Sequence, residues 1–292
     1  MRNLLFVGGS GLLGNNWLKS LSKNKKIFAT INKNKINQKK ENITYFKLDL
    51  LNEKKISKFI DQNSIDAIIN VAALTNIEKC EKNKKKAYEI NVKIPKILKK
   101  VAKKHSIRFV HLSTDHIFNG KKSGFYSENY KASPLNYYSK TKFFAENFIK
   151  DYKKTLIIRT NFFGGYTRNK ESFSELILNK IRKKNSIKLW DDVYFTPVNI
   201  FFLIKTIERL INRNVFGIIN ISSSNSISKY DFGIKLCQYF KLNEKYILKN
   251  KQNKKTILRP KNMCLSNKKL CKIFPDLKNK LSLDYQIKNI YN

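Results

Sequence analysis

Along this chain of 292 residues, short and wholly apolar runs alternate with stretches in which apolar positions recur every three or four residues. "NLLFVG" (3–8) shows no polar alternation, which predicts a strand buried on both faces. "LLGNNWLKSLSK" (12–23) has helical spacing. Further strands are predicted at "KIFATI" (26–31), "ITYFKLDL" (43–50), "IDAIINVAA" (65–73), "IRFVHLST" (107–114) and "TLIIRT" (155–160). Between them, "EKKISKFIDQN" (53–63) puts Ile56, Phe59 and Ile60 on one helical face. A helix is expected through 91–104, with Pro95 tolerable only near its first turn, and another over 136–151. Strand–helix alternation with apolar strands implies a parallel sheet covered on both faces, an α/β doubly wound class.

After about residue 165 the alternation becomes irregular. "FSELILNKIRKK" and "IFFLIKTIERLIN" are helical, "FGIINIS" (216–222) is one more buried strand, and "SKYDFGIKLCQYF" (228–240) is a helix with Ser228 as N-cap. The expected division is a dinucleotide-binding part over 1–164, with the strand near 216–222 added to its sheet. Residues 165–292 then form a smaller, interwoven substrate-binding lobe.

Composition narrows the field. No apolar run reaches the roughly 18–20 residues of a membrane span. The run Leu4–Val7 is too short for a signal-peptide core, so a cytoplasmic location is expected. Cys80, Cys237, Cys264 and Cys271 show no metal-ligand spacing and read as reduced thiols; no metal is expected. The formal charge of +39 raises the question of nucleic acid. Lysine dominates over arginine, however, and is spread over the whole chain together with Asn and Ile. Base readers lean on arginine forks, so the charge reads as compositional drift rather than a nucleic-acid footprint, and its field would also attract anionic ligands such as dinucleotides and sugar nucleotides.

"FVGGSGLLG" sets Gly8, Gly11 and Gly14 between the first strand and the first helix. In that context the glycines serve a tight turn, close approach of amides to a pyrophosphate, and close helix–strand packing, as in Rossmann-type dinucleotide sites. Ser10 belongs to the same turn, and the helix N-terminus adds free N–H donors. The acid that would hold an adenosine 2′-hydroxyl is missing after the second strand. Asn32, Lys33 and Lys35 stand there instead, which favours NADP(H) over NAD(H) while leaving NAD(H) possible. Asp49 is a candidate for the adenine edge, or else a helix N-terminal acid.

"NYYSKTKFFAE" (136–146) offers two tyrosines. A tyrosine acting as proton donor at neutral pH needs a cation one helical turn away. Tyr137 plus four is Thr141, whereas Tyr138 plus four is Lys142, so the candidate pair is Tyr138–Lys142. The strand "RFVHLSTD" ends in Ser113, Thr114 and Asp115, at the edge where open α/β sheets bind ligands. Thr114 is the candidate second donor to a substrate carbonyl.

Taken together, "VGGSGLLG", "INVAALTNIEKCE", "STDHIFNG", "PLNYYSKTKFFAE", "IIRTNFFG", "YFTPV" and "LRPKNMCLSNKKL" resemble the extended short-chain dehydrogenase/reductases. Within that group they resemble the dTDP-4-dehydrorhamnose reductase family. The resemblance implies NAD(P)H-dependent reduction of the C4 ketone of a nucleotide-linked sugar, a step toward surface polysaccharide. It implies that Tyr138 is the proton donor, Lys142 its activator and ribose ligand, and Thr114 the ketone ligand. Gly11, Leu12 and Leu13 would meet the pyrophosphate. Asp49 and Leu50 would meet the adenine side, and Ala72, Ala73 and Leu74 the middle of the cofactor. Asp115, His116 and Phe162 would line the sugar pocket. The family usually has Tyr at position 116 and Trp at 162, and Asn161 is the polar residue nearest to compensate. Alternatives are another nucleotide-linked 4-keto-6-deoxyhexose, or a non-catalytic regulatory subunit that binds the cofactor. A homodimer is compatible with the resemblance.

Overall fold

The computed structural model describes residues 3–21, 24–31, 40–167, 170–253 and 257–291. Its elements follow the predicted alternation: β1 (Asn3–Val7), α1 (Leu12–Ser20), β2 (Lys26–Thr30), β3 (Ile43–Phe46), α2 (Glu53–Asn63) and β4 (Ala67–Asn70). Short helices α3 (Ile77–Lys82) and α4 (Lys84–Tyr88) precede α5 (Ile94–Lys104), β5 (Arg108–Leu112), α6 (Tyr137–Ile149) and β6 (Thr155–Thr160). With Gly217–Ile221, the six strands form one seven-stranded sheet in the order Gly217–Ile221, β6, β5, β4, β1, β2, β3. The order reverses between β1 and β4, and the C-terminal ends of strands at such a switch point are where doubly wound sheets bind ligands.

The apolar runs lack alternation because both sheet faces are covered. Leu5 and Val7 enter one core with Ile56 and Ile60 of α2, Leu98 and Val101 of α5, and Phe109 of β5. Phe6, on the opposite face, meets Trp17 of α1 edge-on with ring centroids 5.4 Å apart. The strands are shorter than their apolar patterns. The 43–50 run ends at Phe46, and the 107–114 run ends at Leu112, which leaves Ser113 and Thr114 beyond the strand. Pro95 is accommodated because a π-helical turn, Glu89–Lys93, runs straight into α5 and widens the helix where the proline has no N–H to donate.

By its contacts the chain divides into two compact units. The first comprises 1–113, 137–158 and 211–218, and the second 114–136, 159–210 and 219–292. Segment 114–136 thus groups with the later residues and 211–218 with the earlier ones, because the polypeptide crosses between units more than once. The second unit has its own aromatic core, in which Phe232 packs edge-on against Phe163 (5.2 Å) and Phe195 (5.4 Å). Its helix Lys229–Phe240 starts as expected at Ser228, whose Oγ accepts from the Asp231 N–H at 2.9 Å. Among the described residues no helix is long and apolar enough to cross a membrane.

Candidate active site

The glycine turn leaves β1 with Gly8 at φ +97°, a left-handed value that disfavours side chains. A Cβ there would lie 2.7 Å from the Ala72 backbone nitrogen, and one at Gly14 would collide with the Gly8 carbonyl. These two glycines therefore seat the turn against β4 and α1 against the turn. At Gly11 the nearest atom to a Cβ would be 3.4 Å away, so steric need is weakest there. No side chain caps α1, and its first-turn amides follow exposed Gly11. That arrangement could hold a pyrophosphate at Gly11, Leu12 and Leu13. Thr30 ties the end of β2 to the turn: its Oγ1 accepts from Gly8 N–H (3.2 Å) and its carbonyl from Gly9 N–H (3.0 Å). Asn32, Lys33 and Lys35 lie outside the described residues. Asp49 is exposed and closes a local turn, accepting from Leu51 N–H at 3.1 Å. Asn52 caps α2 instead, by accepting from Lys55 N–H at 3.0 Å.

Ala72, Ala73 and Leu74 follow β4 as a half-buried segment. Asn91, in the π-helical turn, holds Leu74 from both sides. Its Oδ1 accepts from Leu74 N–H (2.8 Å), and its Nδ2 donates to the Leu74 carbonyl (3.0 Å) and to Thr141 Oγ1 (3.0 Å). Nothing in the local sequence around Asn91 marks it out; only the irregular turn in front of Pro95 brings it inward.

On α6 the structure separates the two tyrosines as helical geometry requires. Tyr138 and Lys142 are buried on one face, while Lys140 is exposed. Tyr137 turns toward α3 and α4, with its N–H bonded to Glu81 (2.7 Å) and its ring 5.7 Å from the Lys84 ammonium. The Lys142 amine donates to the Leu112 carbonyl at the end of β5 (2.6 Å) and lies 3.1 Å from His111 Nε2. Burial pulls Lys142 down to about 8, and the Glu146 carboxylate one turn further on opposes that. Glu146 in turn accepts from the Ser113 hydroxyl, so Ser113 is committed to α6.

In the second unit, Thr114, Asp115 and Asn161 form one polar group. The Thr114 hydroxyl donates to Asp115 Oδ1 (3.1 Å), and Asn161 Nδ2 donates to Asp115 Oδ2 (2.8 Å). His116 Nε2 stands 4.0 Å from Asp115 Oδ1, and burial holds its pKa below the ordinary histidine value. Phe162 pairs with Val198 in a short parallel bridge and is half-buried. Lys229 was not anticipated. Its ammonium sits 3.1 Å from the centre of the Phe195 ring, and burial brings it to about 7 against the pull of Asp115. Nothing in "ISKYDFG" separates this lysine from the many on the surface, because the aromatic wall around it comes from distant segments.

A seven-stranded parallel sheet with a glycine turn at its switch point, and a buried Tyr–Lys pair beside the next strand end, defines a Rossmann-type protein of the short-chain dehydrogenase/reductase kind. Residues 1–286 match the RmlD substrate binding domain, and the chain belongs to that family. It is 28% identical over 195 residues to a probable low-salt glycan biosynthesis reductase of Haloferax volcanii, the match covering 65% of each chain. It is also 28% identical over 242 residues to a dTDP-4-dehydrorhamnose reductase of Aggregatibacter actinomycetemcomitans, covering 80% of this chain and 78% of the relative. A hypothetical dTDP-4-dehydrorhamnose reductase from Sulfolobus tokodaii superposes with a TM-score of 0.82 at 28% identity, over 94% of this chain and 95% of that one. A dTDP-4-dehydrorhamnose reductase from Bacillus anthracis in complex with NADP shares the fold, with a TM-score of 0.84 at 21% identity over 100% of this chain and 99% of that one.

Proposed function

We propose that the protein reduces the C4 ketone of a nucleotide-linked 4-keto-6-deoxyhexose, with dTDP-4-dehydro-L-rhamnose as substrate and NADPH as the preferred reductant. The observation that carries this reading is the Tyr138–Lys142 pair, buried together on one face of α6, with Lys142 anchored to the end of β5. The reduced nicotinamide, when bound, supplies the hydride to the carbonyl carbon. Tyr138 supplies the balancing proton to the carbonyl oxygen, which leaves an alcohol. Lys142 favours the tyrosinate that remains. Gly8, Ser10, Gly11, Leu12, Leu13 and Gly14 would hold the pyrophosphate, Asp49 and Leu50 the adenine side, and Ala72, Ala73 and Leu74 the middle of the cofactor. The uncapped first-turn amides of α1, which follow exposed Gly11, fit such a ligand. Thr114 would bind the ketone oxygen, and Asp115, His116, Asn161 and Phe162 the sugar. Asn161 is already joined to Asp115, so its part is to orient that carboxylate toward a sugar hydroxyl.

The test supplies dTDP-4-keto-6-deoxyglucose, a 3,5-epimerase and NADPH, and follows loss of the reduced cofactor's absorbance. Consumption that depends on the epimerase is the expected result. Reduction of a different nucleotide-linked keto-sugar alone would keep the chemistry and replace the substrate. No turnover with any keto-sugar and either cofactor would overturn the reading in favour of a non-catalytic, cofactor-binding role.

A further inference from the structure

Behind Lys142 lies a buried chain of side chains that the chemistry above leaves without a role. Asn70 ends β4 and His111 stands on β5, and the two are direct partners in the parallel register. Both are fully buried. The Ala72 N–H points at Asn70 Oδ1 (3.1 Å), Asn70 Nδ2 lies 3.1 Å from His111 Nδ1, and His111 Nε2 lies 3.1 Å from the Lys142 amine. A backbone N–H can only donate, so the oxygen of Asn70 must face Ala72 and its NH₂ must face the ring. The ring nitrogen Nδ1 is then an acceptor. Burial alone, the larger cause, pushes the His111 pKa well below 6.5, so the ring is neutral and carries one proton. That proton is therefore on Nε2, facing Lys142.

An ammonium has three N–H donors and no acceptor, so it cannot receive this bond. A neutral amine can: it accepts from Nε2–H with its lone pair and donates to the Leu112 carbonyl. We propose that His111 is a positioning residue that, through Asn70 and the Ala72 N–H, favours the neutral amine form of Lys142 in the cofactor-free protein. The proposal rests on the assignment of the Tyr138–Lys142 pair to proton transfer. The other titratable groups around Lys142 are Tyr138 and Glu146, one turn to either side on α6. Charging Lys142 then requires the His111 proton to move to Nδ1, which faces an NH₂ group. Either the Asn70–His111 bond or the Ala72–Asn70 bond is lost. The lysine's charge is thereby linked to the backbone at Ala72, which lies against the glycine turn.

The test is ¹⁵N NMR of the histidine rings in the cofactor-free protein at about pH 9.5, above the Lys142 pKa of about 8. The chain has three histidines, and the His111→Gln variant assigns the signal by its loss. The expected result is the Nε2–H tautomer for His111; an Nδ1–H tautomer or an imidazolium overturns the proposal. Asn70→Asp supplies the second arm. Its carboxylate still accepts from Ala72 N–H but now accepts from Nδ1 as well, so the proton should move to Nδ1 and Lys142 should charge more readily. The Lys142 titration, followed through its side-chain ¹⁵N or ¹³Cε shift, should rise by about one pH unit or more. An unchanged tautomer and an unchanged midpoint in Asn70→Asp contradict the proposal. Should that variant fail to fold, the wild-type tautomer decides alone. An Nε2–H tautomer in a protein that reduces no keto-sugar would uphold the hydrogen-bond chain and overturn the proposed function instead.

Discussion

Lys142 differs from the exposed lysines by burial rather than by type. Its pKa falls from 10.5 to about 8, so the folded state resists its charge. The unfolded chain binds a proton there that the folded chain does not, between about pH 8 and 10.5. The stability penalty is complete below about 8 and fades as the pH rises through that window. A shift of this size corresponds to about 3 kcal/mol as an upper figure. The Lys142→Met variant should lack this rise. The difference in unfolding free energy between wild type and variant, measured by urea titration, should grow by about 2–3 kcal/mol in favour of wild type from pH 7.5 to pH 10. Subtraction cancels the titration of the surface lysines, so parallel pH curves would contradict the burial argument.

At the scale of elements, the glycine turn and the cap on the second unit's helix give local tests. Gly14→Ala places a methyl group against the Gly8 carbonyl and should move α1 off the turn. We expect a loss of about 2 kcal/mol or more of stability, and cofactor affinity weakened at least tenfold by titration calorimetry. Gly11→Ala, with room for a Cβ, should fold nearly normally. Ser228→Ala should lower stability by about 1 kcal/mol through loss of the cap to Asp231 N–H, without changing cofactor affinity. Elements of this kind were legible in the sequence because their rules are local. Apolar runs mark buried strands, Ser228 marks a helix start, and the i, i+4 spacing selects Tyr138 with Lys142. What was not legible depends on register and packing. His111 and Asn70 are 41 residues apart and meet only because β4 and β5 pair in this register. Asn91 reaches Leu74 because of a π-helical turn, and Lys229 finds Phe195 in a core assembled from the second unit's scattered aromatics.

For the whole molecule, the absence of an acid after β2 and the lysines that follow predict a cofactor preference that a kinetic ratio can test. NADPH should exceed NADH in kcat/KM, and Asn32→Asp should move the ratio toward NADH, since a carboxylate repels a 2′-phosphate and accepts from a 2′-hydroxyl. Equal values in wild type would contradict it. The same excess of positive charge predicts that KM for the dianionic nucleotide sugar rises with ionic strength while kcat changes little, because screening weakens attraction before binding.

The central claim is that Tyr138, and not its neighbour, is the proton source of a hydride-transfer reaction. The most direct test compares Tyr138→Phe and Tyr137→Phe in single-turnover reduction of the keto-sugar, with cofactor occupancy matched by fluorescence titration. Tyr138→Phe is expected to bind cofactor normally and to lose at least about a hundredfold in rate, whereas Tyr137→Phe keeps most of its activity. Equal losses in the two variants, or full activity in Tyr138→Phe, would contradict it.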